Sequence, residues 1–161
     1  LIKASILENV RMGKPDATRG EVLRALHSAQ CDDILEKFPQ GADTVIGTKG
    51  VYLSGGEQQP IAIARAMLKD APIILLDEAT ASVDPENEVH LQQAISALVK
   101  NKTLIVIAHR LSTIRDADQI LVVDNGKIVE KGVHAELIQQ KGIYQKFWNI
   151  RQKARNWKLA Q

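Results

Sequence analysis

Apolar positions change their spacing from one segment to the next, and those changes predict the order of elements. Over 21–29, Val22, Leu26 and Ala29 share one face at helical spacing, and 32–37 offers a second short helix before Pro39-Gln-Gly41 breaks it. Between Gly41 and Gly56, glycines are interspersed with short apolar steps at Val45, Ile46, Val51 and Leu53. Good helix formers follow over 61–69, so a loop feeds a helix there.

Beyond Lys69 the texture changes. Pro72 precedes Ile73-Ile-Leu-Leu76 and then acids, and four consecutive aliphatics predict a strand buried on both faces, as in a parallel sheet. Asp84-Pro85-Glu86 supplies an N-cap, a proline at the first helical position and an acid in the first turn, ahead of a stripe at Leu91, Ile95 and Leu98. Thr103-Leu-Ile-Val-Ile-Ala108 reads as a second buried strand, so strand, helix and strand recur at the length of a right-handed crossover. Ile120-Leu-Val-Val123 and Ile128-Val129 flank Asp124-Asn-Gly126, a strong hairpin signal. Helices starting near Ala135 and Ile143 close the chain, the last with Tyr144, Phe147 and Ile150 on overlapping turns. The fold class is α/β. The composition shift near Lys69 divides the chain into a helical part, 1–69, and a strand-rich part, 70–161.

Composition narrows the function classes. The chain has 161 residues, 21 Lys+Arg against 19 Asp+Glu and a net charge of +2, which excludes a polybasic nucleic-acid arm and gives no nucleic-acid partner. Apolar residues make up 45%, enough for a folded core, yet the longest aliphatic run is far short of the roughly 20 residues of a membrane helix. The single Cys31 and the absence of a charged-then-apolar leader favour a reducing, cytosolic setting. His27, His90 and His134 are too scattered for a zinc site and read as solvated or packing residues. The basic run Trp148, Arg151, Lys153, Arg155, Trp157 and Lys158 reads as a solvated helix face ahead of a membrane-surface helix.

Candidate chemistry gathers at two places. Asp77-Glu78 closes the first aliphatic strand, where open α/β sheets put ligand chemistry. There Asp77 can hold Mg²⁺ through its water shell and Glu78 can accept a proton from an attacking water; solvated acids at a strand end give the same pattern. Leu53-Ser-Gly-Gly-Glu57 precedes a helix, and its glycines let backbone amides approach an anion while Ser54 adds a hydroxyl; a plain N-cap serine with a flexible turn reads identically. His109 directly follows the second aliphatic strand and so reaches the same sheet edge as Glu78.

Leu53-Ser-Gly-Gly-Glu57, Ile73-Ile-Leu-Leu-Asp-Glu-Ala-Thr80, Ser82-Val-Asp84 and Ala108-His-Arg-Leu-Ser112 occur in that order at close spacing. Together they resemble the nucleotide-binding domain of an exporter-type ABC transporter. Ser5-Ile-Leu-Glu-Asn-Val10, Asp16-Ala-Thr18, Gly41-Ala-Asp-Thr44 and Asp124-Asn-Gly-Lys-Ile-Val129 extend the likeness over essentially the whole chain. The resemblance implies a P-loop NTPase-like fold, with a partial parallel-sheet core and an α-helical subdomain. It makes Ser54, Gly55 and Gly56 the signature loop, Asp77 the Walker B aspartate and metal ligand, Glu78 the catalytic glutamate, Asp84 the D-loop and His109 the switch histidine. It implies ATP and Mg²⁺ as cofactors, a second nucleotide-binding domain packed head to tail, and a transmembrane domain that holds the chain at the cytoplasmic face. Coupling of ATP hydrolysis to transport is the implied function. A non-hydrolysing interaction fragment, supplying only the signature loop and dimer surface, is the alternative. The tail, Phe147-Trp148 through Ala154-Arg-Asn-Trp157, is similar to tails of exporter-fold siderophore transporters.

Two departures bear on activity. The chain contains no Gly-x-x-x-x-Gly-Lys-Ser/Thr phosphate cradle, so the reading is of a fragment starting just after the family's Q-loop and inactive alone. In the signature run, Glu57 stands for the family's usual Gln and Pro60 for its Arg. Glu57 favours the helix dipole and repels a nearby γ-phosphate. If the helix begins at Gly55, Pro60 lies beyond its first turn and costs about 3 kcal/mol or kinks it; if it begins nearer Gln59, the proline is harmless.

Overall fold

The computed structural model describes every residue except 48–49, 78–84, 109–113 and 159–161, with no side-chain description for 85–88 and 153–158. The chain forms two compact units, Leu1–Ile105 and Val106–Gln161.

The first unit opens with β1 (Ala4–Ser5), α1 (Ile6–Arg11), α2 (Arg19–Ser28) and α3 (Asp32–Glu36). A 3₁₀ turn (Gly41–Asp43) and β2 (Val45–Ile46) follow, and β2 pairs antiparallel with β1. Thr18 starts α2 with a capping box: its hydroxyl accepts from Glu21 N while Glu21 accepts from Thr18 N. This cap sets the helix start at Arg19, two residues before the apolar pattern alone becomes readable.

α4 (Gly55–Lys69) is the central helix. Its Ile61, Ile63 and Ala64 are buried with Ile6 and Val10 of α1 and Val22, Ala25 and Leu26 of α2. A Cβ on Gly13 would stand 2.3 Å from the Arg65 backbone oxygen, so the bend after α1 meets α4 without room for a side chain. Asn9, fully buried, donates through Nδ2 to Ile2 O and Ser5 O at 3.0 and 3.1 Å, while Arg65 Nε donates to Asn9 O at 2.7 Å. These bonds satisfy a buried amide and fasten the N-terminal segment to α4.

β3 (Ile73–Asp77) and β4 (Thr103–Ile107) pair, and Thr103 N donates to Pro72 O at 3.0 Å. α5 (Pro85–Val99) connects them as the expected crossover. Leu91, Ala94 and Leu98 of α5 join the same core as Ile61 of α4, across the compositional change at Lys69. The expectation of strands buried on both faces is corrected here. In β3 only Ile74 is buried, whereas Ile73 and Leu75 are 57% and 70% exposed. One face packs on the helices, and nothing among the described residues covers the other.

In the second unit, β5 (Ile120–Asp124) and β6 (Lys127–Gly132) make the expected antiparallel hairpin. Asn125 and Gly126 both have positive φ, 47° and 74°, the backbone that a two-residue turn of this hand requires. α6 (His134–Leu137) and α7 (Ile143–Lys158) follow. Ile120, Leu137 and Tyr144 form the small core, with Val122 and Trp148 against it. Tyr144 packs inward as its spacing predicts, whereas Phe147 and Ile150 are exposed.

Of the histidines among the described residues, His27 and His134 make local contacts. His27 Nδ1 lies 2.6 Å from Asp32 Oδ2 on the surface, and His90 is exposed. His134 Nδ1 lies 2.8 Å from the Tyr144 hydroxyl, and its ring rests 4.3 Å from that of Trp148.

Candidate functional site

The glycine-rich loop settles the start of its helix. Ser54 is the N-cap of α4, its Oγ accepting from Glu57 N at 3.3 Å. Glu57 Oε2 in turn accepts from Ser54 N and from the Ser54 hydroxyl, each at 2.9 Å. The reciprocal pair satisfies donors that every helix N-terminus leaves open. Glu57 Oε1 takes a further bond from Lys37 Nζ at 2.9 Å. Hydrogen bonding from Lys37, then from the Ser54 backbone, holds the Glu57 carboxyl below its ordinary range.

Because α4 starts at Gly55, Pro60 is the sixth helical residue and sits inside the helix, buried. It has no N–H to give the Gly56 carbonyl, so the costly alternative for this proline is the one realised.

Gly55 has no structural reason to be glycine. It lies in helical backbone, and a Cβ there would meet nothing within 4 Å. Glycine in a helix costs about 0.5–1 kcal/mol relative to alanine. An open, amide-rich helix start that forgoes a side chain is suited to close approach by an anion.

Asp77 ends β3 and is exposed. Its carboxylate makes no ion pair or hydrogen bond among the described residues. Free hard oxygens at a strand end fit Mg²⁺, which commonly takes one or two carboxylates and completes its shell with water and phosphate. The described residues contain no cluster of three or more potential metal ligands. Ser54, Gly55 and Gly56 therefore stand together at one helix end, with Asp77 at a strand end of the same unit. Glu78, Asp84 and His109 lie outside the described residues.

Two contributors escaped the sequence reading. Ser54-x-x-Glu57 is a capping-box pattern and could have been read as one. Lys37 is 20 residues from Glu57, and no local periodicity announces their contact.

The family model described as ABC transporter matches residues 3–81. The ATP-dependent lipid A-core flippase of Idiomarina loihiensis is 48% identical over 151 residues, spanning 93% of this chain and 26% of that protein. This chain belongs to the ABC transporter family. ABC transporter B family member 2 of Dictyostelium discoideum is 51% identical over 153 residues, 95% of this chain and 11% of that protein. A bacterial Atm1-family ABC exporter solved with ATP bound matches with a TM-score of 0.82 and 42% identity, over 94% of this chain and 26% of that one. The ABC chain thus has the α/β fold of exporter-type nucleotide-binding domains, and spans about a quarter or less of these relatives.

Proposed function

We propose that the chain supplies the signature-loop side and the Walker B end of a nucleotide-binding domain that hydrolyses ATP to drive an exporter. The observation carrying this reading is the start of α4, where Ser54 caps an exposed helix end and Gly55 leaves open a space that the fold itself does not use. In a head-to-tail pair, Ser54 to Gly56 and Asp84 meet the nucleotide held by the second domain. Glu78 and His109 serve the chain's own nucleotide. Residues 1–69 act as the helical subdomain and 70–161 as the second half of the ATPase core.

Catalysis in this arrangement is mainly positioning. Glu78 orients the attacking water and accepts its proton, and His109 donates to the γ-phosphate. Asp77 would hold Mg²⁺, which supplies charge neutralisation on the phosphates when bound. The missing phosphate cradle and a transmembrane domain belong to sequence outside these 161 residues, and the exposed aliphatic face of β3 supports packing against more of the ATPase core. Among the described residues no helix is long and apolar enough to cross a membrane. Attachment at the cytoplasmic face therefore runs through the transmembrane part. The relatives named as lipid A-core flippases make an amphipathic lipid the first substrate class to assay.

Glu78→Gln in the complete protein should lower ATP hydrolysis at least about 100-fold, the scale of a lost general base, while MgATP binding persists. An unchanged rate overturns the assignment. Pro60 inside α4 favours a second reading, in which the chain lends only a dimer surface. Steady-state MgATP hydrolysis by the complete protein separates the two, since that reading expects no MgATP-dependent turnover at all.

A further inference from the structure

Glu57 is the meeting point of three donors. The Ser54 N–H and hydroxyl both reach Oε2 at 2.9 Å, and Lys37 Nζ reaches Oε1 at 2.9 Å. Lys37 is the C-cap of α3, so the ion pair ties the end of α3 to the first turn of α4. The Ser54 hydroxyl has one hydrogen, and while Glu57 accepts it no phosphate oxygen can. The Glu57 carboxylate also stands within one turn of the helix end where an anion would arrive, and two anions there repel.

From this geometry we infer that Lys37 and Glu57 form a latch on the signature serine, with Lys37 a positioning residue that sets how readily Ser54 engages the γ-phosphate of the opposing nucleotide. With the latch closed, Glu57 accepts the Ser54 hydroxyl. An arriving phosphate takes that hydrogen bond in its place, and Lys37 offsets the carboxylate so that both anions can share the helix end. The Glu57 side chain is 22% exposed and that of Lys37 58%, so the pair is partly desolvated while Lys37 stays free to move. The inference rests on the proposed function and deepens it.

The test is steady-state MgATP hydrolysis by the complete protein with Lys37→Gln, Lys37→Arg, Glu57→Gln and the Lys37→Gln/Glu57→Gln double variant. Lys37→Gln should raise the KM for ATP about two- to fivefold with a smaller change in kcat, the scale of a partly exposed ion pair. Lys37→Arg should restore KM. In the Glu57→Gln background, Lys37→Gln should add nothing further, and its effect in the parent should shrink at about 0.5 M salt. An unchanged KM in Lys37→Gln, or an equal rise in both backgrounds, overturns the latch. A parent protein that hydrolyses no ATP overturns the proposed function instead, and the latch falls with it.

Discussion

Glu21, like Glu57, accepts hydrogen bonds from a lysine and from the backbone and hydroxyl of its own N-cap residue. Lys14 Nζ donates to Glu21 at 2.8 Å, Thr18 N at 2.8 Å and the Thr18 hydroxyl at 2.9 Å. Those bonds, that from Lys14 foremost, bring its pKa from 4.5 down to about 2. A depressed carboxyl stabilises the fold above its unfolded value and loses that contribution as the unfolded state takes up protons first. The contribution should therefore be complete above pH 4.5 and disappear on the way to about pH 2. Urea denaturation of Glu21→Gln across this range should show a shallower acid slope than the parent; an identical slope would remove Glu21 from the acid response. Cys31 presents the opposite case, a buried thiol that desolvation, then the nearby Asp32, pushes up to about 12. It should stay unmodified by a thiol reagent at pH 8 until denaturant is added, because the thiolate is the reactive species.

At the scale of elements, Pro60 gives the sharpest expectation. Pro60→Ala returns one helical hydrogen bond in α4 and removes the ring's clash with the preceding turn, against the loss of about two buried methylenes. Interior proline costs about 3 kcal/mol and each methylene contributes about 0.8, so Pro60→Ala should stabilise the chain by roughly 1 kcal/mol in urea denaturation. A destabilised variant would mean that the buried ring outweighs the lost donor. Local signals carried most of the elements. The Asn125-Gly126 turn and the Leu91, Ile95, Leu98 stripe lie where their spacing puts them. The start of α4 was harder to see, because two glycines mask the helical pattern that the Ser54 and Glu57 cap enforces. Lys37 was invisible for another reason: an ion pair across 20 residues depends on how α3 ends against α4, which periodicity does not encode.

At the scale of the whole molecule, four aliphatics in a row promised a strand covered on both sides, yet Leu75 is 70% exposed and Ile73 57%. Pattern reports what a sequence is built to bury, and the described residues leave Ile73 and Leu75 of that strand uncovered. The relatives, of which this chain spans about a quarter or less, have the additional length to cover them. That account makes one substitution behave differently in two contexts. In the chain alone, Leu75→Ala removes an exposed side chain and should shift stability by no more than about 0.5 kcal/mol. In the complete protein the same change opens a cavity and should cost about 2–5 kcal/mol. Dye binding should follow the same logic, since a contiguous apolar face binds hydrophobic dyes only while uncovered. The parent chain should bind more dye than Leu75→Ala, and the complete protein should bind little in either form. Equal stability losses in both contexts would mean that the face of β3 remains open in the complete protein, and that its aliphatic run serves a partner other than the remainder of its own domain.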